Sequence, residues 1–187
     1  MKHFGLKHAA LLLATLTLMA GCIPVKNVEK AWKAAEADKA LVGTWQQGGD
    51  GMVGFVMTDK GFLVTSGTSG LEGGCKSIET NGHKYIIVAQ FRAAILGFEN
   101  VDEDTKDGTL MRYKIDGDTL TLYTYNQEKL NAAVKDGKVG GEMDENDSAT
   151  LKELDEATIK WLGTIADEKE GWDTQKYKRK GAAAAQN

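Results

Sequence analysis

From Gly43 onward, apolar and polar residues alternate in short runs broken by glycine-containing turns. Alternation with a period of two marks half-buried strands. The runs at 43–47, 52–58, 62–66, 75–80, 85–91, 109–115 and 119–125 are predicted strands, and 171–179 reads as a closing strand. Further short strands are expected at 138–143 and 150–154. Turn signals separate the runs: Gly48-Gly-Asp-Gly, Asp59-Lys-Gly, Asn81-Gly and Asp116-Gly. Short strands spaced in this way predict a sandwich or barrel. Two-residue Asn-Gly and Asp-Gly loops imply antiparallel neighbours, because their positive φ angles match hairpin twist.

The hairpin at Asp116-Gly117 can be followed side chain by side chain. A loop of those two residues sets Tyr113 against Leu120 and Met111 against Leu122. Side chains alternate between faces. One face then collects Met111, Tyr113, Leu120 and Leu122, and the other Arg112, Lys114, Thr119 and Thr121. The first face is buried and the second wet. The run Tyr85-Ile-Ile-Val-Ala is apolar on both faces, so it needs an interior on one side and a cover, such as a helix, on the other.

Period-3.6 patterning predicts three helices. The first covers 27–41, with Asn27 as N-cap and Val28, Trp32, Ala35 and Lys39 along one side. Its apolar stripe is thin, which suits a spacer or a helix docked through Trp32. The second covers 126–135, with Leu130, Ala133 and Val134 inward and Gly137 placed to end it. The third covers 155–166, capped by Asp155 and stapled by Leu154 against Ile159. Residues 181–187 form a frayed tail.

The chain start changes the picture from fold to address. Lys2 and Lys7 precede an uncharged stretch at 9–20, and small residues follow at Ala20 and Gly21. A basic start, a short apolar run and small residues before a cut form a secretory signal peptide. The apolar run is too short to span a bilayer, which takes ~20 residues. Ala20-Gly21-Cys22 resembles the lipobox of bacterial lipoproteins, with Met19 where leucine is commonest. That resemblance implies removal of 1–21 and lipidation of Cys22. By the sorting rule of enteric-type bacteria, Ile23 after the cysteine implies the outer membrane, facing the periplasm. The expected organisation is a signal peptide at 1–21, a lipidated cysteine and short helical spacer at 22–40, a barrel at 41–180 and the tail.

Composition sharpens this. The 187 residues carry 23 basic and 27 acidic side chains. Removal of 1–21 takes two lysines and no acids, leaving a net charge of −6. An acidic chain with three arginines (Arg92, Arg112 and Arg179) argues against nucleic acid. With Cys22 lipidated, Cys75 has no internal partner; it reads as a buried thiol or a bridge to another chain.

Leu41-Val-Gly-Thr-Trp45 resembles the Gly-x-Trp opening of lipocalins and related fatty-acid-binding barrels. The whole of 41–180 is also similar to uncharacterised lipocalin-like bacterial lipoproteins. The resemblance implies a mainly β fold with accessory helices, an α+β arrangement: an antiparallel lipocalin-like barrel of about eight strands preceded by one N-terminal helix. It also implies that Trp45 plugs one end and that a basic residue of the last strand, Lys178 or Arg179, packs over the indole. A second lipocalin motif, Thr-Asp-x-x-Tyr, is absent.

Candidate chemistry is sparse. Beyond the signal peptide the one histidine is His83, at a turn. Cys-His catalysis would need Cys75 within hydrogen-bond reach of it. Acidic loops at 102–108 and 144–148 resemble calcium loops, but Lys106 interrupts the first and Ala149 replaces the needed glycine of the second. The sequence therefore predicts no enzyme, metal or cofactor. It predicts a small apolar ligand held by Trp45, Met111, Tyr113, Leu120 and Leu122, or else a filled barrel that recognises an envelope protein.

Overall fold

The computed structural model describes residues 22–49, 51–67, 73–89, 107–168 and 170–181. Eleven strands form one sheet. They are β1 (Ile23–Lys26), β2 (Gly43–Gln46), β3 (Met52–Met57), β4 (Leu63–Gly67), β5 (Gly73–Thr80), β6 (His83–Ala89), β7 (Asp107–Asp116), β8 (Thr119–Tyr125), β9 (Gly141–Met143), β10 (Ala149–Leu151) and β11 (Trp172–Lys180). The helices are α1 (Glu29–Ala34), α2 (Gln127–Lys135) and α3 (Glu156–Ile165). Strands β2 to β8 follow one another antiparallel, and β11 joins β8 to β2. Pairing of β6 with β7 completes an antiparallel barrel of eight strands, a lipocalin-like fold of the expected class.

The ten-residue β7 serves two neighbours along one edge. Its last half pairs with β8 and its first half with β1. From β1 the sheet continues through β10, which lies parallel to it, to β9. This annex and the helices build a second core outside the barrel. Tyr85 and Ile87 of β6 face that outer core, and Ile86 and Val88 face the interior. The two-sided apolar run thus has the double cover its sequence required; the Tyr85 hydroxyl donates to the Leu162 carbonyl of α3 at 2.7 Å.

Helices α2 and α3 start at their expected caps. Asn126 Oδ1 accepts from Lys129 N at 3.2 Å, and Asp155 Oδ1 from Thr158 N at 2.7 Å. Within α3, Gly163 faces the β5–β6 turn so closely that a Cβ there would lie 2.5 Å from Asn81 Nδ2. The inward side of α3 carries Thr158, Leu162, Gly163 and Ile165; Ile159 is only half-buried.

Two expectations for the N-terminal segment are corrected. Residues 22–40 are built into the fold and are not a spacer. Ile23 and Val25 are buried in the outer core, and β1 has a strand on each side. The helix expected over 27–41 spans only Glu29–Ala34. Asn27 is no cap; it takes φ +51° and its amide donates to the Lys152 carbonyl at 3.1 Å. After α1 the chain turns extended at Ala35, exchanges two backbone hydrogen bonds between Glu36 and Ser77 of β5, and closes in a 3-10 turn at Lys39–Leu41. A short helix has little stability of its own, so burial of Val28, Ala35 and Leu41 sets this path instead of propensity.

The β7–β8 register is also two positions off. Asp116 pairs with Thr119, Tyr113 with Leu122 and Ile115 with Leu120, so the loop is Gly117-Asp118. Of these two residues only Gly117 takes a positive φ, +55°. A change of two preserves the alternation, so the apolar face of the hairpin is the predicted one.

Candidate functional site

All five predicted pocket residues come together inside the barrel. Trp45, Met111, Tyr113, Leu120 and Leu122 share one cluster with Leu41, Val53, Phe55, Leu63, Cys75, Ile86, Val88 and Tyr177. None of these is more than 6% exposed. In barrels of this strand number the interior is just wide enough to be filled by side chains or to hold one small ligand.

Trp45 closes one end. Its indole Nε1 donates to the Leu41 carbonyl at 2.8 Å, across the 3-10 turn. The expected basic residue is Arg179, which pairs with Trp45 in the β11–β2 register and sets its guanidinium carbon 4.0 Å from the ring centroid. Arg179 also donates to the carbonyls of Val42 and Ala40, at 2.7 and 2.9 Å. One arginine thus ties the entry turn, the first barrel strand and the last.

A polar network beside this plug had no signal in the alternation pattern. The Tyr113 hydroxyl donates to Asp38 Oδ2 at 2.6 Å, with the Ser77 hydroxyl 3.1 Å away. Lys84 Nζ donates to the same Asp38 oxygen at 2.8 Å, and Ala40 N to Oδ1 at 2.9 Å. These groups line a surface cleft of about 290 Å³ together with Glu36, Lys39 and Glu79. The sequence hint was Asp38 itself, two residues before Ala40, a spacing that lets a carboxylate cap a turn. With its carboxylate fully partnered, the cluster acts as a lock between the N-terminal segment and β5–β7.

Burial alone would raise the Asp38 pKa. The hydrogen bonds from Lys84, Tyr113 and Ala40, with the Lys84 charge, outweigh burial and hold it below the ordinary carboxylate value. A lowered folded-state pKa stabilises the fold above the unfolded value, ~3.9, and that gain is lost as pH falls through the folded pKa. Asp38→Asn is therefore expected to lower stability at neutral pH and to flatten its fall on acidification, as read from urea midpoints across pH. A slope unchanged from the parent would contradict this.

Arg112 lies on the outer face of β7, as expected, but that position is covered instead of wet. Its guanidinium carbon is 4.3 Å from the Tyr123 ring centroid and 5.4 Å from that of Trp172, and it donates to the Ala166 carbonyl at the C-terminus of α3. A cation suits that negative helix end. Arg92 lies outside the described residues, as does most of the 102–108 loop.

Cys75 and His83 are not brought together. Cys75 pairs with Val88 and faces the interior, where burial pushes its thiol pKa up. His83 pairs with Thr80 at the turn, and its Nε2 lies 3.0 Å from Asp167 Oδ1. In the 144–148 loop the Asp144 carboxylate accepts from the backbone N–H groups of Asn146 and Ser148, at 2.9 and 2.8 Å. Among the described residues no cluster of three His, Cys, Asp or Glu side chains could hold a metal ion, and no helix is long and apolar enough to cross a membrane. No family model, curated protein or solved structure matches the chain.

Proposed function

We propose that the chain is a bacterial lipoprotein of the cell envelope, held through lipid on Cys22 at the outer membrane and facing the periplasm, whose barrel is a filled module for recognising an envelope protein. The observation that supports a filled barrel is the burial of the interior cluster to 6% exposure or less. Side chains that cover one another this completely occupy the volume a ligand would take. The Cys75–His83 pair that Cys-His catalysis would need is not formed: the thiol lies in the interior cluster and the histidine at the turn beside Asp167.

A second reading rests on the closed ring itself. Its interior face is apolar, so a small apolar ligand could replace Met111, the most exposed member of the cluster and an unbranched, adaptable side chain. Native mass spectrometry of protein purified gently from its host separates the two. The filled module gives the lipidated chain alone, and crosslinking in intact cells returns an envelope partner. A reproducible bound apolar molecule would overturn the filled barrel in favour of carriage. For the anchor, Cys22→Ser is expected to move the protein from the membrane fraction to the soluble one; an unchanged membrane fraction would refute lipidation.

A further inference from the structure

Strand β1 starts at Ile23, directly after Cys22. Its register on β7, Ile23 opposite Leu110, puts Cys22 level with Met111, in the fork where β7 exchanges β1 for β8 as its neighbour. Cys22 is partly buried there and packs against the edge of the interior cluster. A lipid on this residue has no leash. Cys22 faces the interior side with Met111, so the lipid leaves through the fork and holds the adjoining wall of β7 and β8 close to the bilayer.

That wall is basic on an acidic protein. Tyr113 and Tyr177 point inward, so Lys114 of β7 and Lys176, Lys178 and Lys180 of β11 point outward, and all four are exposed. Lys114 and Lys176 flank Thr121 in one register row. The row lies three residues along β7 from the level of Cys22, about 10 Å at the rise of a strand. Among the described residues, Asp116 at the turn is the one carboxylate on this face of β7, β8 and β11. No carboxylate of the described residues pairs with Lys114 or Lys176.

We propose that the exposed part of the outer face of β7, β8 and β11, from the Lys114–Thr121–Lys176 row to the Gly117-Asp118 turn and beyond the cover that α3 and Trp172 give Arg112, is the membrane-docking surface of the protein, with anionic phospholipid headgroups as its partner. The proposal rests on the lipid anchor of the previous section. Lysines held near a surface gain attraction from anionic lipids that decays within a Debye length, about 10 Å at 0.1 M salt. The anchor keeps this wall inside that distance, and the net charge of the chain turns its other faces away.

The test uses the lipidated protein reconstituted in vesicles of equimolar phosphatidylcholine and phosphatidylglycerol that contain a headgroup-nitroxide lipid. A fluorophore is placed at Thr121→Cys on the wall or at Val56→Cys on β3, across the ring from β7; Val56 is 65% exposed. Cys75, sealed in the barrel, stays unlabelled. The expected result is quenching several-fold stronger at Thr121 than at Val56. Changing Lys114, Lys176 and Lys178 together to glutamate is expected to abolish the difference without moving the unfolding midpoint. Equal quenching, or stronger quenching at Val56, with lipid present on the N-terminal peptide by mass, overturns the docking surface alone. An N-terminal peptide without lipid overturns the anchor, and the docking surface with it.

Discussion

Replacing Trp45 by alanine is expected to lower the free energy of unfolding by about 3–5 kcal/mol, the usual cost of deleting a large aromatic side chain from a packed core. Three losses coincide. The indole is fully buried, so its volume becomes a cavity at the barrel end. The Leu41 carbonyl loses its donor. The Arg179 guanidinium loses the ring beneath it, a contact worth roughly 0.5–2 kcal/mol. Urea denaturation with two probes measures the change. Trp45→Phe keeps a ring and should recover most of the loss; Arg179→Met should cost less than Trp45→Ala, because its carbonyl partners Val42 and Ala40 can be rehydrated at the partly exposed end. A midpoint for Trp45→Ala close to the parent would show that the end is not closed by this residue.

Val25→Asp is expected to cost about 3–5 kcal/mol, the range found when a charge is left buried without a partner. Val25 is buried between the parallel β10 and the antiparallel β7, opposite Leu151 and Gly108. An aspartate there sits in the outer core with no cation supplied. The neighbouring Lys26→Ala removes only an exposed ion pair with Glu142, which solvent and salt screen, and should leave the unfolding midpoint nearly unchanged. The contrast between adjacent residues is the informative measurement. Equal, small effects at both would mean that residues 23–26 belong to a spacer, as expected for 22–40.

Much of the barrel was legible because its signal is local. Alternation and turn residues located the seven strands from Gly43 to Tyr125 and the closing strand, each to within a few residues. The inward set Met111, Tyr113, Leu120 and Leu122 follows from period two alone, and it survived a one-residue error in the loop position because that changes the pairing register by two. Arg179 over Trp45 was reached differently, through the likeness of Leu41-Val-Gly-Thr-Trp45 to lipocalins, which supplied both the plug and the strand its cation comes from. The Asp38 network was not legible. It joins residues 38, 77, 84 and 113, which share no spacing pattern and meet only because the β5–β6 and β6–β7 pairings stack them.

The chain by itself determined the mainly β class and which side chains look inward, and it carries the lipobox resemblance on which the proposed address rests, since each is written in neighbouring residues. The tertiary structure decided the path of residues 23–41. A run rich in alanine, glutamate and lysine favours helix, yet Ile23, Val25, Val28 and Leu41 gain more from burial beside β7, β10 and the barrel end than a continuous helix would gain from its own hydrogen bonds. That choice removes the leash between Cys22 and the domain.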